Sequence, residues 1–147
     1  MMQEAAYKIR NYTPDDFDQV MNLWVETGMG RPERGDDNGV IVRTVMAGGS
    51  FLVMEDVTAG IICGTSWLTC DGRRLYLHHF GILPSYQGKG LSHILLNESL
   101  KIAKKMKYQV KLEVHRSNSK AANLYKKHGF SYLGDYDVYI IRDTENI

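Results

Sequence analysis

The chain has 147 residues, the size of one domain with a core of its own. Its 18 basic and 17 acidic side chains nearly balance and give a formal charge of +1. Both signs are mixed along the chain, so no basic stripe indicates a nucleic-acid partner. At 44% hydrophobic and 24% charged residues, the composition is typical of a globular protein. We therefore expect one domain over residues 1–147.

The N-terminal stretch MMQEAAYKIR lacks the apolar run of a signal peptide, and no stretch reaches the roughly 18 uninterrupted apolar residues of a membrane helix. We expect a cytoplasmic protein without a membrane partner. The 2 cysteines, Cys63 and Cys70, show no CxxC spacing and have no His or Cys neighbour at metal-ligand spacing. We expect them to be reduced, packed thiols, and we expect no metal.

The first half of the chain predicts a strand, two helices and three more strands. YKIRNY alternates apolar and polar residues, and TPDDFDQVMNLW begins a helix with Pro14 at its first position. The glycine-rich loop TGMGRPERGDDNG and a short helix over Val40–Met46 follow. SFLVMED, GIICGTSWLTC and LYLHHFGIL are separated by turn residues and predict three antiparallel strands. Helical spacing predicts that the buried face of the first helix comprises Phe17, Val20, Met21 and Trp24.

The second half predicts a helix, a strand, a helix and a hairpin. From Ser92 onward, apolar residues recur at helical spacing as far as the lysine-rich KKMK. QVKLEVH predicts a strand, and SNSKAANLYKKHGF predicts a capped helix that ends at Gly129 in a Schellman motif. SYLGDYDVYII is predicted to close the chain as a hairpin. The order βααβββαβαββ predicts an α/β fold with a mixed sheet that carries helices on its faces.

A glycine turn, PSYQGKGLS, joins the fourth predicted strand to the long helix. It is not a Walker A loop, because Lys89 lies between the glycines, and it is not a dinucleotide fingerprint, because His93 occupies the third glycine position. Small residues at the start of a helix nevertheless leave backbone N–H groups bare beside its positive end, and such a site binds a pyrophosphate. The alternative is that the glycines only make a tight turn.

The chain, most strongly from about Leu75 to Phe130, resembles the GCN5-related N-acetyltransferase (GNAT) family, whose signature [RQ]xxGx[GA] follows the fourth strand. Here the signature reads QGKGLS, with Ser92 in place of the usual Gly or Ala. Serine is still small enough for close packing, and its hydroxyl can donate to a phosphate. The resemblance implies a mostly antiparallel central sheet with flanking helices, in which the fourth and fifth strands splay apart. It also implies acetyl-CoA as the co-substrate.

By this resemblance, the backbone N–H groups of the glycine turn hold the CoA pyrophosphate, and pantetheine pairs with the exposed edge of the fourth strand. An amide between Phe80 and Ile82 polarises the thioester carbonyl, and Gly81 marks a bulge that opens the strand. Asn118 matches a family asparagine that contacts the cofactor, although helix capping explains it equally well. The implied cofactor-binding residues are Ile82, Leu83, Gln87, Gly88, Lys89, Gly90, Leu91, Ser92 and Asn118.

Transfer of an acetyl group to an amine needs a neutral amine and benefits from an acid that protonates the departing thiolate. The resemblance assigns the acid to Tyr125 of LYKKHGF; the alternative is that Tyr125 only packs beneath the sheet with its hydroxyl on a backbone partner. His78 and His79 of the fourth strand are candidates for the base. Strand alternation predicts that they face opposite sides, and the family spacing favours His78. The alternative is that both are structural and that the proton leaves through water.

These residues together predict an acetyl-CoA-dependent N-acetyltransferase that acts by direct transfer in a ternary complex, without a cysteine nucleophile. The acceptor, a small-molecule or peptide amine of undecided charge, is expected between the early loop and the final hairpin. One alternative is a non-catalytic acyl-CoA-binding module of the same fold, and another is an enzyme that acetylates protein N-termini or lysines. A homodimer through the tyrosine-rich final strands is plausible, but no feature demands it.

Overall fold

The computed structural model of the protein describes residues 6–147, except for the side chain of Pro32. Residues 1–5, which belong to the stretch without a signal-peptide pattern, lie outside the described residues. Four short 3-10 turns occupy Pro14–Asp16, Pro32–Arg34, Pro84–Tyr86 and Thr144–Asn146. The helices and strands are β1 (Tyr7–Asn11), α1 (Phe17–Glu26), α2 (Asn38–Met46), β2 (Ser50–Asp56), β3 (Ile61–Cys70), β4 (Arg74–Ile82), α3 (Leu91–Met106), β5 (Gln109–Leu112) and α4 (Ser119–Lys127).

The five strands of the described part form one sheet in the order β1-β2-β3-β4-β5. Neighbouring strands are antiparallel except β4 and β5, which are parallel because α3 crosses over between them. The pairing of β4 with β5 runs only from Arg74↔Gln109 to Leu77↔Leu112, and β4 continues to Ile82 without β5 beside it. The predicted mixed sheet and the splayed fourth and fifth strands are confirmed.

Helices cover both faces of the sheet. Two neighbouring residues of β3 point to opposite sides, as strand geometry requires. Trp67 donates its indole N–H to the Thr44 hydroxyl of α2 at 2.8 Å. The hydroxyl of Ser66 lies 2.6 Å from that of Ser99 on α3, and both serines are buried. The α1/α2 face and the α3/α4 face of the sheet are therefore distinct environments.

Helix α1 begins three residues later than the sequence predicts, because Pro14–Asp16 forms a tighter 3-10 turn. Asp16 accepts two hydrogen bonds of 2.8 Å from the guanidinium of Arg10. That ion pair holds the pKa of the Asp16 carboxyl below its usual range and fastens the turn to β1. Val20 and Trp24 are buried as predicted, whereas Phe17 and Met21 are half-buried, and Leu23 joins the core unpredicted.

The predicted C-terminal hairpin is wrong, because residues 131–141 form neither helix nor strand. Gly134 and Asp135 have φ values of 60° and 55°, the left-handed pair expected at the centre of a type I′ hairpin turn. The flanking residues do not pair, and large apolar side chains such as Tyr136, Tyr139 and Ile140 are exposed. The residues at Gly134 and Asp135 specify a turn, but a strand ladder also needs a neighbouring strand to pair with. The preceding strand, β5, is only four residues long and offers a short edge.

No helix within residues 6–147 is both long and apolar enough to cross a membrane.

Candidate functional site

The glycine turn leaves the start of α3 open to an anion. Gly88 and Gly90 have φ values of 79° and 77°, which only glycine adopts without strain. Gly90 precedes α3 directly and has no side chain to cap the first N–H groups of that helix. No atom lies within 4 Å of the position where a Cβ would stand on either glycine. The positive end of α3 therefore faces free space beside bare backbone.

Side-chain contacts fix the shape of this turn. The Tyr86 hydroxyl donates to Asp56 on β2 at 2.7 Å, which lowers the pKa of that carboxyl and raises the pKa of Tyr86 to about 12. The Lys89 ammonium stands 5.2 Å from the centre of the Tyr86 ring. Gln87 donates its side-chain N–H to the Ile82 carbonyl at 2.9 Å. The turn is thus tied to β2 and to the end of β4 before any ligand arrives.

A cavity of about 440 Å³ connects this turn with the unpaired half of β4 and with α4. Of the predicted cofactor-binding residues, it brings together Ile82, Gln87, Gly88, Gly90, Leu91, Ser92 and Asn118, and Tyr125 also lines it. Leu83 and Lys89 are not among its lining residues. Leu83 is buried and donates its N–H to the Cys63 carbonyl of β3, and Lys89 lies over Tyr86.

Tyr125 is buried in the wall of this cavity. Its ring packs edge-on against Phe80 of β4, with centroids 6.1 Å apart, and against Phe130 at 5.6 Å. Within residues 6–147 its hydroxyl has no hydrogen-bond partner, and burial raises its pKa to about 12. The Phe130 N–H bonds to the Tyr125 carbonyl and the Gly129 N–H to that of Lys126, which confirms the predicted Schellman end of α4.

Asn118 does what capping predicts, because its side-chain oxygen accepts the Ala121 N–H at 3.1 Å and so begins α4. It also lines the cavity. The capping bond occupies the carbonyl oxygen of the side chain, and the amide N–H₂ remains to donate to a ligand. The two roles considered for Asn118 are therefore compatible.

The strand alternation predicted for the two histidines is wrong, because β4 carries a bulge. Trp67 pairs with His78 and Thr65 pairs with Gly81, so β4 uses one residue more than β3 across this interval. The extra residue is accommodated at His79, whose φ is 43°. Both rings consequently contact Trp67 on the α1/α2 face, with centroids 6.1 Å away for His78 and 5.3 Å for His79. Phe80, in turn, points at Tyr125 on the other face.

The two histidines differ in their surroundings. His78 is exposed, stacks on Tyr76 and lies 2.8 Å from the Thr69 hydroxyl through Nε2. The side chain of His79 is only 8% exposed, and neither ring nitrogen makes a hydrogen bond. Its Nε2 lies 3.2 Å from a carboxylate oxygen of Asp36, but out of line for a hydrogen bond. Burial, together with the nearby charges of Arg34 and His78, lowers the pKa of His79 to about 4.

The cysteines lie away from this chemistry. Cys63 is buried on β3, and burial raises its pKa to about 11, so it remains a protonated thiol. Cys70 ends the same strand, and neither cysteine lines the cavity. In the described part of the chain, no three His, Cys, Asp or Glu side chains stand close enough together to hold a metal ion.

The segment between α1 and α2 meets the C-terminal segment. The guanidinium of Arg142 donates to the Glu33 carbonyl at 3.0 Å, across 109 residues of sequence. Residues 27–37 also contain Met29, whose terminal methyl would stand 2.9 Å from a Cβ on Gly81. This segment therefore covers the α1/α2 face of β4 beside the bulge.

Several lining residues were missed at the sequence level: Tyr86, His93, Lys120, Leu124 and Lys127. Those on α4 recur at i, i+4 and i+7 and so share one face of the helix, and that periodicity is the signal that was available. His93 lies on α3, and its Nδ1 is 2.8 Å from Nε2 of His128, a hydrogen bond in which either nitrogen can be the donor. Only the approach of α3 to α4 brings these residues to one cavity.

A sequence profile of the acetyltransferase (GNAT) family matches residues 15–130. An acetyltransferase of the GNAT family from Staphylococcus aureus has the same fold, with a TM-score of 0.78, 17% identity and 90% of each chain covered. A Trypanosoma brucei acetyltransferase gives a TM-score of 0.74 and 21% identity over 92% of this chain and 100% of its own. A GNAT family acetyltransferase from Elizabethkingia anophelis, with acetyl-CoA bound, gives a TM-score of 0.61 and 18% identity. The match covers 85% of this chain and 76% of the other.

The fold and the cavity at the glycine turn define an α/β protein of the acyltransferase type. The chain belongs to the GNAT family of acetyltransferases, as the signature QGKGLS predicts.

The environment of His79 predicts a pH-dependent stability. An imidazole with a pKa of about 4 in the folded chain and 6.5 in the unfolded chain stabilises the fold fully above pH 6.5. That contribution, about 3 kcal/mol in the free energy of unfolding, is lost as the pH falls from about 6.5 to about 4. His79→Asn tolerates the left-handed backbone and should flatten this part of the stability curve, measured by urea unfolding at a series of pH values.

His115→Asn is the matched control, because the ring of His115 is exposed. If the curves of the wild type and His79→Asn run parallel between pH 6.5 and pH 4, the imidazole of His79 is not held neutral by the fold.

Proposed function

We propose that the protein is an N-acetyltransferase that moves an acetyl group from acetyl-CoA to a primary amine by direct transfer in a ternary complex. One observation carries this proposal: a single cavity joins the bare start of α3, the unpaired edge of β4 and the side chain of Tyr125. A CoA thioester requires an anion site for its pyrophosphate, a strand edge for its pantetheine arm and a proton donor for its departing sulfur.

The residues present fit CoA. Glycine at positions 88 and 90 leaves the turn free of side chains, and the N–H groups that begin α3 are available to phosphate oxygens. Ser92 adds a hydroxyl on the first turn of α3, and the side-chain amide of Asn118 faces the same cavity. The co-substrate, when bound, supplies an acetyl thioester, whose C–S bond breaks as the amine nitrogen bonds to the carbonyl carbon.

The edge of β4 supports a backbone donor for the thioester carbonyl. The Leu83 N–H bonds to β3, so alternation directs the N–H and C=O of Ile82 toward the open edge. Gln87 already donates to the Ile82 carbonyl, which leaves the Ile82 N–H for the ligand. A fixed N–H of this kind stabilises negative charge on the carbonyl oxygen at no cost of reorganisation.

Tyr125 is proposed as the acid that protonates the departing sulfur. Its high pKa keeps the hydroxyl protonated near neutral pH, and the hydroxyl is not committed to another group in the described part of the chain. The proton of the amine goes to one of the two histidines of β4, among which the sequence favours His78. Cys63 and Cys70 lie outside the cavity, which supports direct transfer without an acyl-enzyme.

Two alternatives keep the same fold. A non-catalytic acyl-CoA-binding module would use the glycine turn and the β4 edge but not Tyr125. An enzyme that acetylates protein N-termini or lysines would use all three. The apolar C-terminal segment is exposed, and a homodimer through it stays a prediction.

The test is thiol release from acetyl-CoA across polyamines, amino acids, aminoglycosides, arylalkylamines and N-terminal peptides, with cofactor binding measured by calorimetry on the same preparation. Turnover with one class of amine would establish the activity and identify the acceptor. Binding without turnover on any of them would favour the binding module or an untested protein acceptor. Absence of binding would refute the assignment of QGKGLS.

Tyr125→Phe should lower kcat about 100-fold while leaving the Kd of acetyl-CoA unchanged, because it removes a proton donor but keeps the ring packed against Phe80. Tyr108→Phe is the control, since Tyr108 belongs to the same apolar cluster but does not line the cavity. Intact turnover in Tyr125→Phe would remove this hydroxyl from the mechanism.

Gly90→Ala should weaken acetyl-CoA binding about tenfold, because a side chain strains the left-handed residue that sets the N–H groups of α3. Gly72→Ala imposes a comparable strain, at φ 85°, in the hairpin between β3 and β4, and it should leave the Kd unchanged. Calorimetric titration of both variants checks the difference. Equal affinities would mean that the glycine turn does not contact the cofactor.

A further inference from the structure

The C-terminal segment, residues 131–142, exposes a row of large apolar side chains. Seven of them are 65% to 89% exposed: Tyr132, Leu133, Tyr136, Val138, Tyr139, Ile140 and Ile141. An exposed tyrosine presents about 150 Å², and with the aliphatic side chains the row offers on the order of 800 Å², the share that one partner contributes to a specific interface. A monomer rarely leaves an apolar surface of that size in water, so the segment has the area and the composition of an interface between chains.

The same segment contains the residues of a strand that is covered on both faces. Residues 138–141 read VYII and are all apolar, whereas a strand with one face in water alternates apolar and polar residues. The left-handed residues Gly134 and Asp135 supply a turn just before them. Yet these residues pair with no strand in the part of the chain that the structure describes. The strand former therefore lacks an edge to pair with.

The outer side of β5 is such an edge. This strand stands at the end of the sheet and, among the described residues, pairs with β4 alone. On the α3/α4 face, Val110 and Leu112 are half-buried at the rim of the apolar cluster that contains Tyr125. On the other face, the ammonium of Lys111 lies 5.8 Å from the centre of the Tyr76 ring. A strand added beside β5 would find apolar groups next to it on both faces, as the C-terminal segment requires.

The charges of the two elements are complementary. Residues 131–141 carry two aspartates and no basic side chain. β5 carries one charged side chain, that of Lys111, and the residues that flank the strand, Lys107 and Glu113, have opposite charges. Opposite charges on neighbouring strands favour their pairing and steer two surfaces together.

We propose that two copies of the chain exchange their C-terminal segments, so that each segment adds a strand to the outer edge of β5 in the other copy. The chain leaves its own edge open, because Arg142 at the end of the segment donates to the Glu33 carbonyl at 3.0 Å and ties the segment to the residues between α1 and α2. A two-fold axis serves both edges at once, since each copy gives a segment and receives one.

The exchange also protects the sheet. An open edge next to an exposed apolar segment is a template for unlimited association of chains, and a closed pair leaves neither in water. This dimer does not depend on the proposed acetyl transfer.

The first test is the oligomeric state, measured by sedimentation equilibrium at micromolar concentration. The wild type should have twice the mass of one chain. Ile140→Lys should weaken dimerisation about 100-fold, because it places an ammonium without a partner in the exchanged strand. Met46→Lys is the matched control, since it adds the same charge in place of an apolar side chain that is 83% exposed at the end of α2. It should leave the dimer intact.

A monomeric wild type, or equal dimerisation of Ile140→Lys and Met46→Lys, would overturn the proposal. Because the side chain of Ile140 is exposed in one chain, Ile140→Lys should keep its fold, which far-UV circular dichroism checks.

Hydrogen exchange locates the interface without any variant. In the dimer, the amides of residues 138–141 and those β5 amides that do not bond to β4 should exchange slowly, and dilution to the monomer should release both sets together. A dimer in which these β5 amides exchange freely would place the interface elsewhere and overturn the exchange. Slow exchange that persists in the monomer would mean that each segment pairs with its own β5, and it would overturn the exchange as well.

Neither measurement involves thiol release from acetyl-CoA. Failure of the dimer and failure of the acetyltransferase function are therefore distinguishable.

Discussion

The site depends on the early separation of two parallel strands. β4 and β5 share only four paired positions, after which β4 runs on to Ile82 with one edge unpaired. An open edge inside a sheet is costly because its N–H and C=O groups lack partners. Here the edge faces a cavity, and one of its carbonyls is satisfied by Gln87. The glycine turn, the start of α3 and the wall formed by α4 are all arranged around that opening.

A second constraint is the bulge at His79. It reverses the side on which one side chain emerges, so that the α1/α2 face of β4 receives two histidines and the α3/α4 face receives Phe80. The two sides of one strand thereby carry different side chains within three residues. The buried Thr65 hydroxyl donates to the carbonyl that the bulge exposes, and it accepts in turn from the Trp24 indole, so this geometry is stabilised locally.

The sequence predicted the part of the site that depends on local chemistry. The glycines at 88 and 90, the cap at Asn118 and the Schellman end at Gly129 require particular residues at particular positions, and the chain carries them. Prediction failed where pairing partners decide the outcome. The C-terminal residues contain good strand formers and a hairpin turn, yet they remain unpaired, because strand propensity is not a pairing energy. Leu83 matched the family pattern but proves to be bonded to β3.

By itself, the sequence of this protein determined the order of its elements up to α4, the turn that exposes the start of α3, and the family to which the chain belongs. These follow from short-range periodicity, capping and glycine geometry. The distribution of side chains between the two faces of β4 came from tertiary contacts. A bulge arises from the register of two strands and from the buried indole that stabilises it. The spacing of His78 and His79 in the sequence predicts neither. Likewise Asp36 meets His79 only because the α1–α2 segment folds over the sheet.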